Sequence, residues 1–198
     1  MDLTAPLKTE VIRPLVTLVV PGAIAIGPFV LLLGDYVQSV AKFWTEHPSA
    51  SSALIILAVL AAGFIIEDIG TLVETGWDAR LRKSDPQNDE IWRKYLQLEL
   101  KDELIGQRYL RTRVTVLKFE LAMASALVVF WVGLFWLQAK QPVWSCSTFV
   151  FISIFIFVGA GSLLWGSWKT RGLLAWTQKL IVEAIEKGPK GIRSEGKH

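Results

Sequence analysis

Four acids that close an apolar run are the residues best placed to do chemistry in this chain. Ala53 to Ile66, with Gly63 inside it, carries no charge; Glu67, Asp68, Glu74 and Asp78 follow, with Gly70 and Thr71 between them. A carboxylate at the edge of a hydrocarbon layer is costly, about 2.5–3.5 kcal/mol for Asp at the centre of an inserting helix. Such a group is therefore a functional-site candidate. At about 100° per residue, Glu67, Gly70, Thr71, Glu74 and Asp78 fall on one stripe of a helix, and Asp68 points elsewhere. Downstream lie Arg108, Arg111, Arg113, Lys118 and Glu120. If the two segments run antiparallel, Lys118 comes within reach of Glu67 or Glu74. Three chemistries fit: an ion-paired helix base whose charges satisfy one another, an acidic mouth that selects cations, or a proton-coupled transport site. The outer two thirds of each apolar run hold no charge, so no polar path right across a membrane is visible.

Other chemistries lack their residues. There is no H-E-x-x-H, G-x-S-x-G, phosphate loop or G-x-G-x-x-G, so a non-enzymatic role without a cofactor is expected. His47 and His198 share no spacing with another ligand type, and no metal site is expected. The single cysteine, Cys146, cannot form an intrachain disulfide and reads as a free residue near an interface. The cluster Arg108, Arg111 and Arg113, with Tyr109, suits anionic headgroups at roughly 1 kcal/mol per basic side chain. A phosphate-bearing ligand is the alternative. Nucleic acid is not expected, because residues 74–113 hold nine basic and eight acidic side chains, a net of +1.

These groups must be positioned by membrane helices. Of 198 residues, 52% are hydrophobic and 20% charged, and the apolar ones are gathered in blocks. Four blocks reach the roughly 20 residues needed to cross about 30 Å of hydrocarbon. The spans are read as 15–34, 53–73, 114–137 and 149–168. None alternates with period two, so a transmembrane barrel is not indicated. The expected fold is an all-α integral membrane protein with four transmembrane helices and a cytoplasmic helical hairpin between spans 2 and 3.

Basic residues set the orientation. The first loop has only Lys42 and the third only Lys140, whereas the second has nine basic residues and the tail from Lys169 has seven. The positive-inside rule places both termini and the second loop in the cytoplasm. Trp44, Trp136 and Trp144 then mark the outer interface, and Trp77, Trp165 and Trp168 the inner one. The first span contains the cleavage-like Ala23-Ile24-Ala25, but its apolar run continues through Leu33, so an uncleaved helix is expected. Pro21-Gly22 and Gly27-Pro28 predict a kink or a break within it.

Each span also carries small residues four apart: Ala23/Gly27, Ala58/Ala62, Ala122/Ala126 and Ser162/Gly166. Such pairs let backbones approach closely, within a subunit or between subunits. Segment 1–14 is read as a cytoplasmic lead-in. Segment 74–113 is the hairpin, its second arm starting at Ser84-Asp85-Pro86. An apolar stripe of Ile91, Trp92, Tyr95 and Leu98 on that arm needs a neighbouring helix, a partner or the membrane surface. Residues 169–198 hold an amphipathic helix over 173–187 and a Gly- and charge-rich end.

A small four-span chain with a projecting cytoplasmic hairpin resembles, at the level of architecture, the membrane subunits of bacterial anti-phage systems of the Kiwa or Hailong type. The resemblance is carried by no residue motif. It implies oligomerisation and coupling to a cytosolic partner or ligand. The leading expectation is a self-associating membrane sensor or anchor. A regulated ion channel and a proton-coupled transporter are the alternatives.

Overall fold

The computed structural model describes residues 4–84, 90 and 105–186, and among them every element is helical. Five helices follow in order: α1 (Thr4–Tyr36), α2 (Gln38–Glu46), α3 (Pro48–Ser84), α4 (Ile105–Lys140) and α5 (Cys146–Glu186). All but α2 are long and apolar enough to cross a membrane. In lipid, a helix alone satisfies its backbone within one segment. That requirement explains why the apolar runs become uninterrupted helices despite their β-branched content.

The bundle is built around α4, which packs on α1, α3 and α5, whereas among the described residues α2 touches only α1 and α3. The α1–α3 crossing is made by backbone. A Cβ at Gly22 would overlap the Val59 carbonyl and lie 2.8 Å from the Gly63 nitrogen; one at Gly63 would overlap the Leu18 carbonyl. Dispersion between backbones drives such contacts where no hydrophobic effect operates. Ala25, Ile66, Ala122 and Ala126 fill the space between α1, α3 and α4.

Small residues therefore do set the packing, but not all of the pairs expected. Ala122 and Ala126 are buried, whereas Ala23 and Ala58 are exposed and Gly27 faces open space. Gly22 and Gly63 make the closest approach instead.

Three features add to the sequence reading. First, α1 is unbroken through Pro21 and Pro28, both fully buried. Each proline removes one hydrogen bond, but an apolar setting offers the remaining backbone groups no partner except the helix itself. Pro28 fits a notch at Gly133, where a Cβ would lie 2.8 Å from its Cβ.

Second, the first loop contains α2, whose Trp44 ring covers Gly34; a Cβ there would lie 2.6 Å from Trp44 Cζ3. Third, the expected fourth span and tail helix are one 41-residue helix, α5, with no interruption near Lys169. The stripe Ile91, Trp92, Tyr95 and Leu98, the turn of the hairpin and the end of the tail lie outside the described residues.

The two ends of the bundle differ in kind. The loop end carries α2 and the tight connection from α4 to α5. There the Gln138 amide donates to the Trp144 carbonyl at 2.7 Å and its oxygen accepts from the Trp144 N–H at 3.1 Å. At the opposite, charged end, α3, α4 and α5 run on to lengths of about 55, 54 and 61 Å at 1.5 Å per residue. These lengths exceed the roughly 30 Å of a hydrocarbon core.

Candidate functional site

The acidic stripe of α3 meets two different helices. Glu67 lies 3.5 Å from Lys118 Nζ of α4, in a pair that is one third exposed on the acid and nearly half on the base. One turn on, Gly70 is buried against α4, where a Cβ would lie 3.3 Å from Leu121 Cβ. Glycine here brings the two helices close enough for the Lys118 stem to reach Glu67. Thr71 is exposed, and its hydroxyl donates to the Glu67 carbonyl of its own helix at 3.0 Å. Glu74 is half-buried.

Asp78 meets a different helix. It forms an ion pair with Arg171 of α5, both side chains about a quarter exposed. The contact runs from Arg171 Nη2 to Asp78 Oδ1, and among the described residues neither the buried Oδ1 nor the buried Arg171 Nε has a hydrogen-bond partner, so the pair is held by charge rather than by a paired hydrogen-bond geometry. Beside it, Trp77 and Trp168 meet edge to face with ring centroids 5.3 Å apart. Beneath these contacts Leu110, Leu117, Leu121 and Leu174 form an apolar cluster, with Val73, Trp77 and Ile181 packed on it. The projecting part of α5 is thus tied to α3 and α4 by a leucine cluster, an aromatic contact and an ion pair.

Glu120, grouped by sequence with the polar face of α3, sits elsewhere. Two residues along a helix are about 160° apart around its axis, so Lys118 and Glu120 occupy opposite sides of α4. Glu120 faces α5. Its Oε2 is 3.3 Å from Ser167 Oγ, and a Cβ at Gly166 would be 3.2 Å from its Oε1. Ser167 is fully buried, with its Oγ also 2.8 Å from the Leu163 carbonyl. Gly166 leaves the room in which the carboxyl lies.

Arg111 is exposed and Arg113 half-buried near the start of α4; the Arg108 backbone belongs to the same helix. Lys169 lies 5.4 Å from the centre of the Trp165 ring, an interfacial cation on an aromatic face. Among the described residues no three acids, histidines or cysteines converge as metal ligands would.

Sequence reading missed Arg171, Ser167 and Gly166 as partners. A signal for Arg171 was present: it lies one turn beyond Trp168 as Asp78 adjoins Trp77, and the paired tryptophans set both charges at one level. Nothing comparable marked Ser167, because a serine in a membrane helix usually bonds its own backbone.

Chemically, this end offers one exposed and one half-buried ion pair, a carboxyl held by a hydroxyl, and an aromatic contact between projecting helices. No family model, curated protein or solved structure matches the chain.

Proposed function

We propose that the chain is a non-enzymatic, self-associating membrane sensor or anchor, which engages a cytosolic protein or small ligand through the helices of its charged end. The observation that carries this reading is length. Helices α3, α4 and α5 have 37, 36 and 41 residues, where about 20 suffice to span. The excess lies at the end where the sequence concentrates lysine and arginine, which orients it to the cytoplasm; that the membrane is a bacterial inner one is what the architectural resemblance implies. The stripe of Ile91, Trp92, Tyr95 and Leu98 adds an apolar face for the partner, and Arg108, Arg111 and Arg113 add a basic one. A role in bacterial defence follows from the architectural resemblance.

Conduction is the weaker reading. Within one copy the space between α1, α3 and α4 is filled by Ala25, Ile66, Ala122 and Ala126. A channel would have to form between copies, with Glu67 and Glu74 near its inner mouth.

The test uses the full chain extracted in mild detergent. Its mass by light scattering and its captured proteins are compared with those of a variant carrying Ile91→Glu, Tyr95→Glu and Leu98→Glu. The proposal expects an oligomer and loss of specific capture in the variant. A monomer whose captured set is unchanged by the three substitutions overturns it.

A further inference from the structure

At the loop end, α1 and α4 leave an apolar crevice of about 450 Å³ between them, lined by Phe29, Leu32 and Leu33 of α1 and by Trp136 and Lys140 of α4. Its size falls within the roughly 300–1,000 Å³ of sites that hold a small molecule. Helical spacing builds both walls. Positions 29, 32 and 33 share one face of α1, and 136 and 140 stand one turn apart on α4. Gly133, one turn before Trp136, fixes the floor: a Cβ there would lie 2.8 Å from Pro28 Cβ and 3.0 Å from Phe29 Cε2. Leu33 and Trp136 are half exposed, so the crevice is open to the surroundings rather than closed as a core.

The lining restricts what can fill it. Four of the five side chains are apolar or aromatic, and water finds too few polar partners on such walls to stay. The fifth is Lys140, exposed in the last turn of α4. Among the described residues it has no ion-pair partner, and no acid is among the described side chains that line the crevice. Along the helix axis the apolar wall comes first and the cation follows, about 6 Å nearer the loop end. A phospholipid has the same order, acyl chain and then phosphate.

We propose that this crevice binds an anionic phospholipid of the leaflet at the loop end, with an acyl chain against Phe29, Leu32 and Trp136 and the phosphate at Lys140. Charge complementarity selects this occupant. A zwitterionic headgroup would bring a positive charge to a mouth that already holds a cation. The lysine stem adds apolar contact along the wall while its ammonium stays at headgroup depth. Lipid surrounds this surface at high concentration, so a modest preference is enough to fill the site. The site does not depend on the anchoring role. It makes the α1–α4 seam at the loop end a place where the bundle reads lipid charge.

The test uses the full chain in nanodiscs of phosphatidylglycerol and phosphatidylcholine in equal amounts, with a photoreactive diazirine on the acyl chain of one lipid at a time. Irradiation should tag the peptides that carry Leu32 and Trp136, phosphatidylglycerol exceeding phosphatidylcholine about fivefold, as one basic side chain at the interface gives. The exposed Phe151 and Phe155 of α5 serve as the control surface, where the two lipids should tag equally. In Lys140→Gln the excess at the crevice should vanish. In Leu32→Trp, which fills the crevice, it should vanish while tagging of α5 is unchanged. Equal tagging by the two lipids at the crevice of the unaltered protein overturns the proposal. So does an excess that survives either substitution. Crevice peptides spared by both lipids would mean that a second copy or another protein covers them, and would overturn it as well.

Discussion

The two ends of this bundle are assembled from the same four long helices, yet they are finished in opposite ways. At the loop end the connections are short, and Gln138 closes the last of them with two hydrogen bonds to Trp144. The ion pair recorded there, Lys42 with Glu46 at 3.7 Å, lies on the surface of one short helix and joins nothing. At the charged end the helices overshoot, and their charges connect one helix to another: Glu67 to Lys118 and Asp78 to Arg171. The loop end is sealed, and the charged end is built outward. The difference teaches that charges in this chain connect helices where these leave the hydrocarbon, while the middle is held by close packing and by a hydrogen bond from Trp131 Nε1 of α4 to Ser153 Oγ of α5 at 2.9 Å.

If close packing dominates the middle, its loss should outweigh any polar change. Gly22→Val or Gly63→Val forces a side chain into the facing backbone and should cost about 3 kcal/mol or more. The expected result is loss of the monodisperse species in detergent, read by size-exclusion chromatography. A stable, monodisperse Gly22→Val protein would show that the α1–α3 crossing is not close.

The charged end should be next. Asp78→Asn and Arg171→Gln each remove one partner of an ion pair between half-buried groups and should cost about 2 kcal/mol. Thermal unfolding of the two single variants and the double should show coupling, the double costing clearly less than the sum. Additive losses would mean that the projecting part of α5 is tied to α3 by the Trp77–Trp168 contact and the leucine cluster alone.

The loop end supplies a smaller effect. Gln138→Ala removes two partly exposed hydrogen bonds and should lower stability by about 1 kcal/mol, with no effect on partner capture. Altered capture would break the division between a sealed end and a presented one. The smallest effect is expected at Lys118. Its pair with Glu67 is substantially exposed, and such pairs give about 0–1 kcal/mol. The double-mutant cycle of Lys118→Leu with Glu67→Leu should therefore show weak coupling in detergent. Coupling as strong as that of Asp78 with Arg171 would place this pair among the structural ones.

Much of this division was legible in the sequence. Four apolar runs of membrane length, with acids and bases crowding one set of ends, specify an all-α membrane bundle with one charged end. The reach of Lys118 to Glu67 follows from antiparallel helices and a period of 3.6.

What was not legible depends on which helices are neighbours. Asp78 meets α5 rather than α4, and Glu120 turns its back on α3, because α4 lies between α3 and α5 and divides the polar groups between its two sides. Of the kink or break that the prolines of α1 suggested, the break is absent, because the surroundings offer no other partner for the backbone. Helix α2 escaped notice because nine residues over Gln38–Glu46 carry too short an apolar pattern to stand out from a loop.

The central claim is that the charged end, with its overshooting helices, is the one presented to the cytoplasm. The native protein carries a single reporter for the opposite end: Cys146, free and exposed at the start of α5. A membrane-impermeant maleimide applied to intact spheroplasts should label Cys146. A second protein, with Cys146→Ser and the exposed Lys179→Cys near the far end of the same helix, should be labelled only after lysis. Protection of Cys146 in intact spheroplasts, with labelling of the residue 179 cysteine, would contradict the account.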